Sequence, residues 1–342
     1  ILEKLDRGRS SLTMGMFTKI NSILSRGSFG RSVSMLVGGT AFAQAINLLA
    51  LPVITRLYTP SEFNVLAIYV AILSMVSVVA CLRLEIAIPM PKDDGVASGL
   101  LILSIVSSAI MAGGVALFLM TFGNEIAGIL NANDLRPFFW MLPVGVWIAG
   151  MYNAFQYWCT RRGDFKAIAQ SRMTQSMGSI GIQLVLGIVG KFGPFGLLMG
   201  QMMMGGIGAV RLGRVTFKEA SLIKGVIKWR DLRRTFGEYS NYPKYSSFEA
   251  LANAGAIQLP VIIIGAAAIG PEAGFLLLAM KAAGVPMGLI GGAVVQVYLS
   301  RAGDEKRLGR LSEYTISTII RLMILGVGPL LALGVISPVL MP

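Results

Sequence analysis

The sequence has 342 residues, of which 54% are hydrophobic and only 14% charged, with a mean hydropathy of +0.70. A soluble domain carries about 25% charge, so this composition excludes an ordinary soluble fold and points to a membrane protein. Histidine is absent, which removes imidazole catalysis and most metal chemistry.

Residues 1–32 are a basic arm in which 12–24 (LTMGMFTKINSIL) reads as an amphipathic helix lying on the inner membrane surface. Nine continuous apolar runs follow, at 33–55, 64–82, 96–121, 138–158, 173–190, 195–212, 245–268, 273–299 and 314–341. Each is long enough to cross a bilayer, and continuous rather than alternating hydrophobicity predicts helices, not a barrel. The expected class is an all-α polytopic membrane protein. Cys81 and Cys159 lie in or beside spans and suggest no disulfide framework. The chain opens at Ile1 without a signal-peptide layout and closes on the apolar ISPVLMP, so it reads as a fragment cut at both ends.

The net charge of +13 follows topology. The arm, 83–95, 159–172, 211–244 and 301–312 hold 6, 2, 4, 9 and 4 Lys and Arg, that is 25 of 30. The opposite loops hold only Arg56, Arg136 and Lys191. This positive-inside pattern puts the N-terminus in the cytoplasm and suggests anionic lipids as partners rather than nucleic acid.

The chain divides into a bundle of six spans at 33–212, a basic cytoplasmic linker at 213–239 and three further spans at 240–342. The two parts echo each other. LPVI begins LPVITRLYTPSEFNVLAIY at Leu51 and LPVIIIGAAAIGPEAGFLLLAM at Leu259, and the span after each ends in a charged inner loop, RLEIAIPMPKDD or SRAGDEKR. An even number of spans per half makes the pseudo-repeat parallel. The second bundle, with three of six expected spans, is truncated.

No catalytic arrangement stands out. The 17 acids fall in loops or near span ends, with Glu85, Glu249, Glu272 and Glu313 nearest the apolar interior. Amides are the more telling residues: Gln44 and Asn47 in the first span, Asn153 and Gln156 in the fourth, Gln175 and Gln183 in the fifth, Gln201 in the sixth, Asn253 and Gln258 in the seventh and Gln296 in the eighth. An unpartnered amide in hydrocarbon costs several kcal/mol. Each therefore joins helices by hydrogen bonds or faces a wet chamber suited to a sugar. Lys281 and Arg321 lie within spans, where charge is costly. They either snorkel to the surface or present cations to an anionic group such as a pyrophosphate. Arg31, Arg172 and Lys244, at inner span ends, have the same two readings. Arg83 and Glu85 sit where Pro89 and Pro91 forbid a long helix. Their segment reads as a kinked helix end with charges at the interface: a simple stop, or a cytoplasmic rim against which the second bundle closes.

LALPVITRLYTPSEFNVLAIY followed by RLEIAIPMPKDD resembles the bacterial polysaccharide-transporter family, the Wzx-type O-antigen and lipid-linked oligosaccharide flippases. Further matches are TRRGDFKAIAQSR (160–172), EYSNYPKYSS (238–247) and GPEAGFLLLAMKAAGVPMGLIGGAVVQVYLSRA (270–302). The resemblance spans roughly residues 30–340. It implies a MATE-like fold of two six-helix bundles and the flipping of a polyprenyl-pyrophosphate-linked oligosaccharide from the cytoplasmic to the periplasmic leaflet. It also implies a bacterial inner-membrane location, polysaccharide-assembly partners and no cofactor or metal. Lys281 falls where such proteins often carry Arg or Lys. The chain departs from the pattern by having nine spans where twelve or more are expected. It also lacks the first-span arginines of the murein-precursor branch, having none between Arg31 and Arg56. A multidrug antiporter of the same fold would need deep carboxylates, and a polysaccharide polymerase or glycosyltransferase a larger outer loop than 122–137.

Overall fold

The computed structural model describes residues 28–130, 132–190, 192–220, 229–267, 294–295 and 297–323, with the single residues 274, 276 and 280. The stretch 12–24, Lys281, Gln296 and 324–342 lie outside the described residues, as does the side chain of Arg31.

All regular structure among the described residues is helical. In chain order it comprises α1 (Ser28–Leu57), α2 (Pro60–Ser77), a 3-10 turn (Leu84–Ala87), α3 (Asp94–Ile129), a second 3-10 turn (Asn133–Phe138), α4 (Met141–Arg162), α5 (Phe165–Val189), α6 (Phe195–Ala220), α7 (Trp229–Glu238), a π-helical turn (Tyr242–Ser246) and α8 (Ser247–Ala267). Helical segments at 297–307 and 311–323 follow. Among the described residues five stretches can cross a bilayer by length and composition: Ser34–Leu57, Pro60–Ser77, Asp94–Ile129, Phe195–Lys218 and Tyr242–Ala267. Nine were expected, of which those at 273–299 and 314–341 lie largely outside the described residues. The fourth and fifth expected spans do form helices, α4 and α5, but these are richer in polar side chains. The third is much longer than 96–121: its 36 residues reach about 54 Å, well past the hydrocarbon core. Ile110, Leu117, Met120 and Ile129 are exposed along it, as a lipid-facing surface requires.

Local chemistry explains the helix ends. Thr59 caps α2: its hydroxyl accepts from the Glu62 amide at 3.4 Å while Glu62 Oε2 accepts from the Thr59 amide at 2.6 Å, with Pro60 in the first turn. The preceding Tyr58 is buried and donates its hydroxyl to the Gln183 carbonyl at 2.7 Å, tying the α1–α2 turn to α5. Asp93 caps α3 through the Gly95 amide, and Asp164 caps α5 through the Ala167 amide. Between α2 and α3 the backbone enters the left-handed region at two consecutive non-glycine residues, Leu82 (φ 53°) and Arg83 (φ 60°). Each such residue costs about 1–2 kcal/mol, so the packing around this turn holds it in place.

The helices pack out of chain order. α1 lies on α5, α5 on α6, α6 on α4 and α4 on α3, while α2 sits between α4 and α6 on one side and α8 on the other. Two apolar clusters form the ends of this bundle. One gathers Leu84, Ile88, Leu100, Trp158, Ile168 and Leu212 at the basic end. The other gathers Tyr58, Phe63, Tyr69, Leu135, Met141 and Leu197 at the opposite end. The functional candidates lie between and beneath these clusters.

Candidate functional site

Midway between the two clusters is a cavity of about 230 Å³ walled by α2, α4, α5 and α6. Its polar lining consists of Ser74 and Ser77 from α2, Tyr152 and Asn153 from α4, Gln175 from α5 and Gln201 from α6; Val70, Leu73, Gly145, Ala149, Met202, Met204 and Gly205 complete the wall. No charged side chain is among these residues. Helical spacing explains the composition: Ser74 and Ser77 are three residues apart, and Tyr152 lies one turn from Ala149, so one stripe of each helix turns inward. Both serines also bond back to their own helix, at the Ala71 and Leu73 carbonyls. The Gln175 amide donates to Ser171 Oγ at 2.8 Å. Gly208 makes room for it, since a Cβ there would lie 2.2 Å from Gln175 Nε2 and 2.7 Å from Tyr152 Cδ2. Amides and hydroxyls both donate and accept, so such a wall can bind an uncharged polyol but gives an ion no counter-charge.

The sequence singled out Asn153, Gln175 and Gln201; the structure brings them to one cavity. It adds Ser74, Ser77 and Tyr152, which the sequence reading passed over. Their inward stripe is visible only once α2 is known to pack against α4. Other candidates are elsewhere. Asn47 donates to Ser176 Oγ at 3.1 Å and Arg172 to Thr40 Oγ1 at 2.6 Å, so both join α1 to α5. Gln44 on α1, Gln156 on α4 and Gln258 on α8 are half-buried, and Asn253 is exposed. Lys244 is exposed on the π-helical turn. Arg321 is half-buried on segment 311–323, in the electrostatic neighbourhood of Tyr314.

At the basic end the RLEIAIPMPKDD stretch is built by a single guanidinium. Arg161, at the end of α4, donates to Asp94 Oδ1 through Nε (3.2 Å) and Nη2 (2.8 Å), and to the carbonyls of Ile88 (3.4 Å), Pro91 and Lys92 (3.0 Å). Arg162 reaches the other Asp94 oxygen at 3.2 Å and stacks over Trp158. Prolines explain why side-chain help is needed: Pro89 and Pro91 have no amide hydrogen to offer a neighbouring carbonyl. The expectation that both charges of the Arg83–Glu85 pair lie at the interface needs correction, because Glu85 is 3% exposed. The left-handed turn at Leu82 and Arg83 swings it inward. Among the described residues neither Glu85 Oε2 nor Arg83 Nε has a hydrogen-bond partner. Burial pushes the Glu85 carboxyl up to about 7, against the opposing pull of its own backbone amide and of Arg83.

Among the described residues no cluster of three or more Cys, Asp or Glu offers a metal site.

A family model described as polysaccharide biosynthesis protein matches residues 53–337. Among solved structures, the crystal structure of a mutant of the MATE transporter VcmN from Vibrio cholerae matches with a TM-score of 0.54 at 14% identity, over 90% of this chain and 70% of that one. At that identity the likeness is one of fold. No curated protein matches the sequence.

Proposed function

Because the chain belongs to the polysaccharide biosynthesis protein family, we propose that it moves a polyprenyl-pyrophosphate-linked oligosaccharide, such as an O-antigen repeat unit, from the cytoplasmic to the periplasmic leaflet. The observation that carries this reading is the uncharged cavity lined by Ser74, Ser77, Tyr152, Asn153, Gln175 and Gln201 inside an otherwise apolar bundle. A glycan presents hydroxyls, which amides and hydroxyls match in both directions. The prenyl tail stays in the bilayer beside the helices. Small-molecule sites run to about 300–1,000 Å³, so a cavity of about 230 Å³ has to widen to admit a glycan.

The MATE-like fold supports alternating access between two six-helix bundles, of which 33–212 is the first, 213–239 the cytoplasmic linker and 240–342 part of the second. In this scheme the N-terminus is cytoplasmic, Lys281 and Arg321 meet the pyrophosphate, and glycan-assembly enzymes of the inner membrane are the partners. Antiport of a drug cation ranks second, because no carboxylate is among the described residues that line the cavity.

The test replaces Asn153 and Gln175 together by Ala in cells that lack the chromosomal copy. Two hydrogen-bonding groups worth about 1 kcal/mol each correspond to roughly a tenfold or greater loss of surface polysaccharide. Expression and membrane insertion should stay unchanged. Full polysaccharide from that variant refutes the assignment of the cavity.

A further inference from the structure

The stretch 88–94 is clamped from both sides. Arg161 holds it to the first bundle, as described above. From the far part of the chain, Arg307 Nη1 donates to the Met90 carbonyl at 3.3 Å, across 217 residues of sequence. Gly303 lies so close that a Cβ there would come within 3.3 Å of the Pro89 oxygen and 3.2 Å of the Met90 oxygen. Only a glycine seats here without displacing the loop. This loop is therefore where residues 303–307 meet the first bundle in this structure.

Glu85 is continuous with that contact. The Ile88 amide donates to the Glu85 carbonyl at 3.2 Å and the Met90 amide to the Ala87 carbonyl at 2.9 Å. The 3-10 turn also packs against α3, α4 and the π-helical turn. The groups these elements contribute are few. Arg83 is on the segment itself, with Cys81 just before it, and α4 offers Tyr157. Asp94 of α3 is engaged by Arg161 and Arg162, and the π-helical turn carries Tyr242 and the exposed Lys244 and Tyr245. A carboxylate anion buried here, with one oxygen lacking any donor among the described residues, is expensive, whereas a neutral acid is not.

We propose that Glu85 is a proton-binding site of this transporter, and that the proton it takes up holds the inner rim closed. Loss of the proton draws water to the carboxylate, unwinds the 84–87 turn and releases residues 89–90 from Gly303 and Arg307. The proposal rests on the alternating-access reading above. Its sign follows from linkage. The carboxyl sits at about 7 in the closed form and returns to an ordinary value near 4.3 once hydrated. Closure is then favoured most below about pH 4.5, falls about tenfold per pH unit up to about pH 7, and is level above that.

The test places spin labels at the exposed positions Lys92 and Lys306 as cysteines, in the full-length protein reconstituted in lipid discs. The buried Cys81 and Cys159 stay in place. Expected is a short inter-label distance at about pH 5 and a growing longer population by about pH 8, with E85Q short at both. A distance distribution indifferent to pH overturns the proposal, as does one that changes identically in E85Q. Should E85Q not accumulate, Glu85→Asp keeps the acid but retracts it by one methylene and must move the midpoint; an unmoved midpoint overturns the proposal. The labels read the rim without any glycan, so a failed Asn153/Gln175 test leaves this result standing. A pH-silent rim in a protein that still flips glycan removes Glu85 alone.

Discussion

Replacing Arg161 by Ala should be among the most damaging single changes in the first bundle. The guanidinium makes five hydrogen bonds to one loop and is only 11% exposed. Removing it orphans the carbonyls of Ile88 and Pro91, at about 1 kcal/mol each, whereas the Lys92 carbonyl is at an exposed residue and rehydrates cheaply. Asp94 is 42% exposed and keeps Arg162, so the lost ion pair adds at most about 1 kcal/mol. The sum is about 3 kcal/mol, or roughly 4 °C in Tm for a chain of this size. The buried thiols of Cys81 and Cys159 provide the readout, since a thiol-reactive dye reports them as the purified protein unfolds on heating. Arg161→Lys, one ammonium for five acceptor contacts, should recover less than half of the loss. Asp94→Asn should cost about 1 kcal/mol or less. A shift below about 2 °C for Arg161→Ala, or an equal shift for Asp94→Asn, would refute the view that the guanidinium holds the loop through its carbonyls.

Gly208→Ala should drive the Gln175 amide out of its place, costing about 1–3 kcal/mol by overpacking; surface polysaccharide should fall more steeply than thermal stability, and the two measured together check this. Thr59→Ala removes the capping box of α2 and should cost about 1 kcal/mol in thermal unfolding, with glycan output unchanged. Arg172→Met loses one hydrogen bond to Thr40 and should lower stability by about 1–2 kcal/mol while leaving polysaccharide intact; abolished output would return Arg172 to the substrate path.

The class of the protein was legible because the bilayer imposes a composition on any chain that crosses it. Residues 60–77 and 195–218 had to be apolar helices whatever they packed against. Caps were legible for the same local reason: Thr59-Pro60-Ser61-Glu62 satisfies orphan amides with neighbours in sequence. Amides in spans announced that something polar lies within, yet their meaning was undecided. Asn47 and Asn153 look alike in sequence, but one joins two helices and the other lines a cavity. That difference depends on α1 packing on α5 while α2, α4, α5 and α6 close a ring, an order set by contacts between residues far apart in the chain. The burial of Glu85 depended on still more distant partners. Sequence alone marked the place where a span ends in charge. Left-handed backbone at Leu82 and Arg83, and the packing of the 84–87 turn against α3, α4 and the π-helical turn, decided that this carboxyl lies inside.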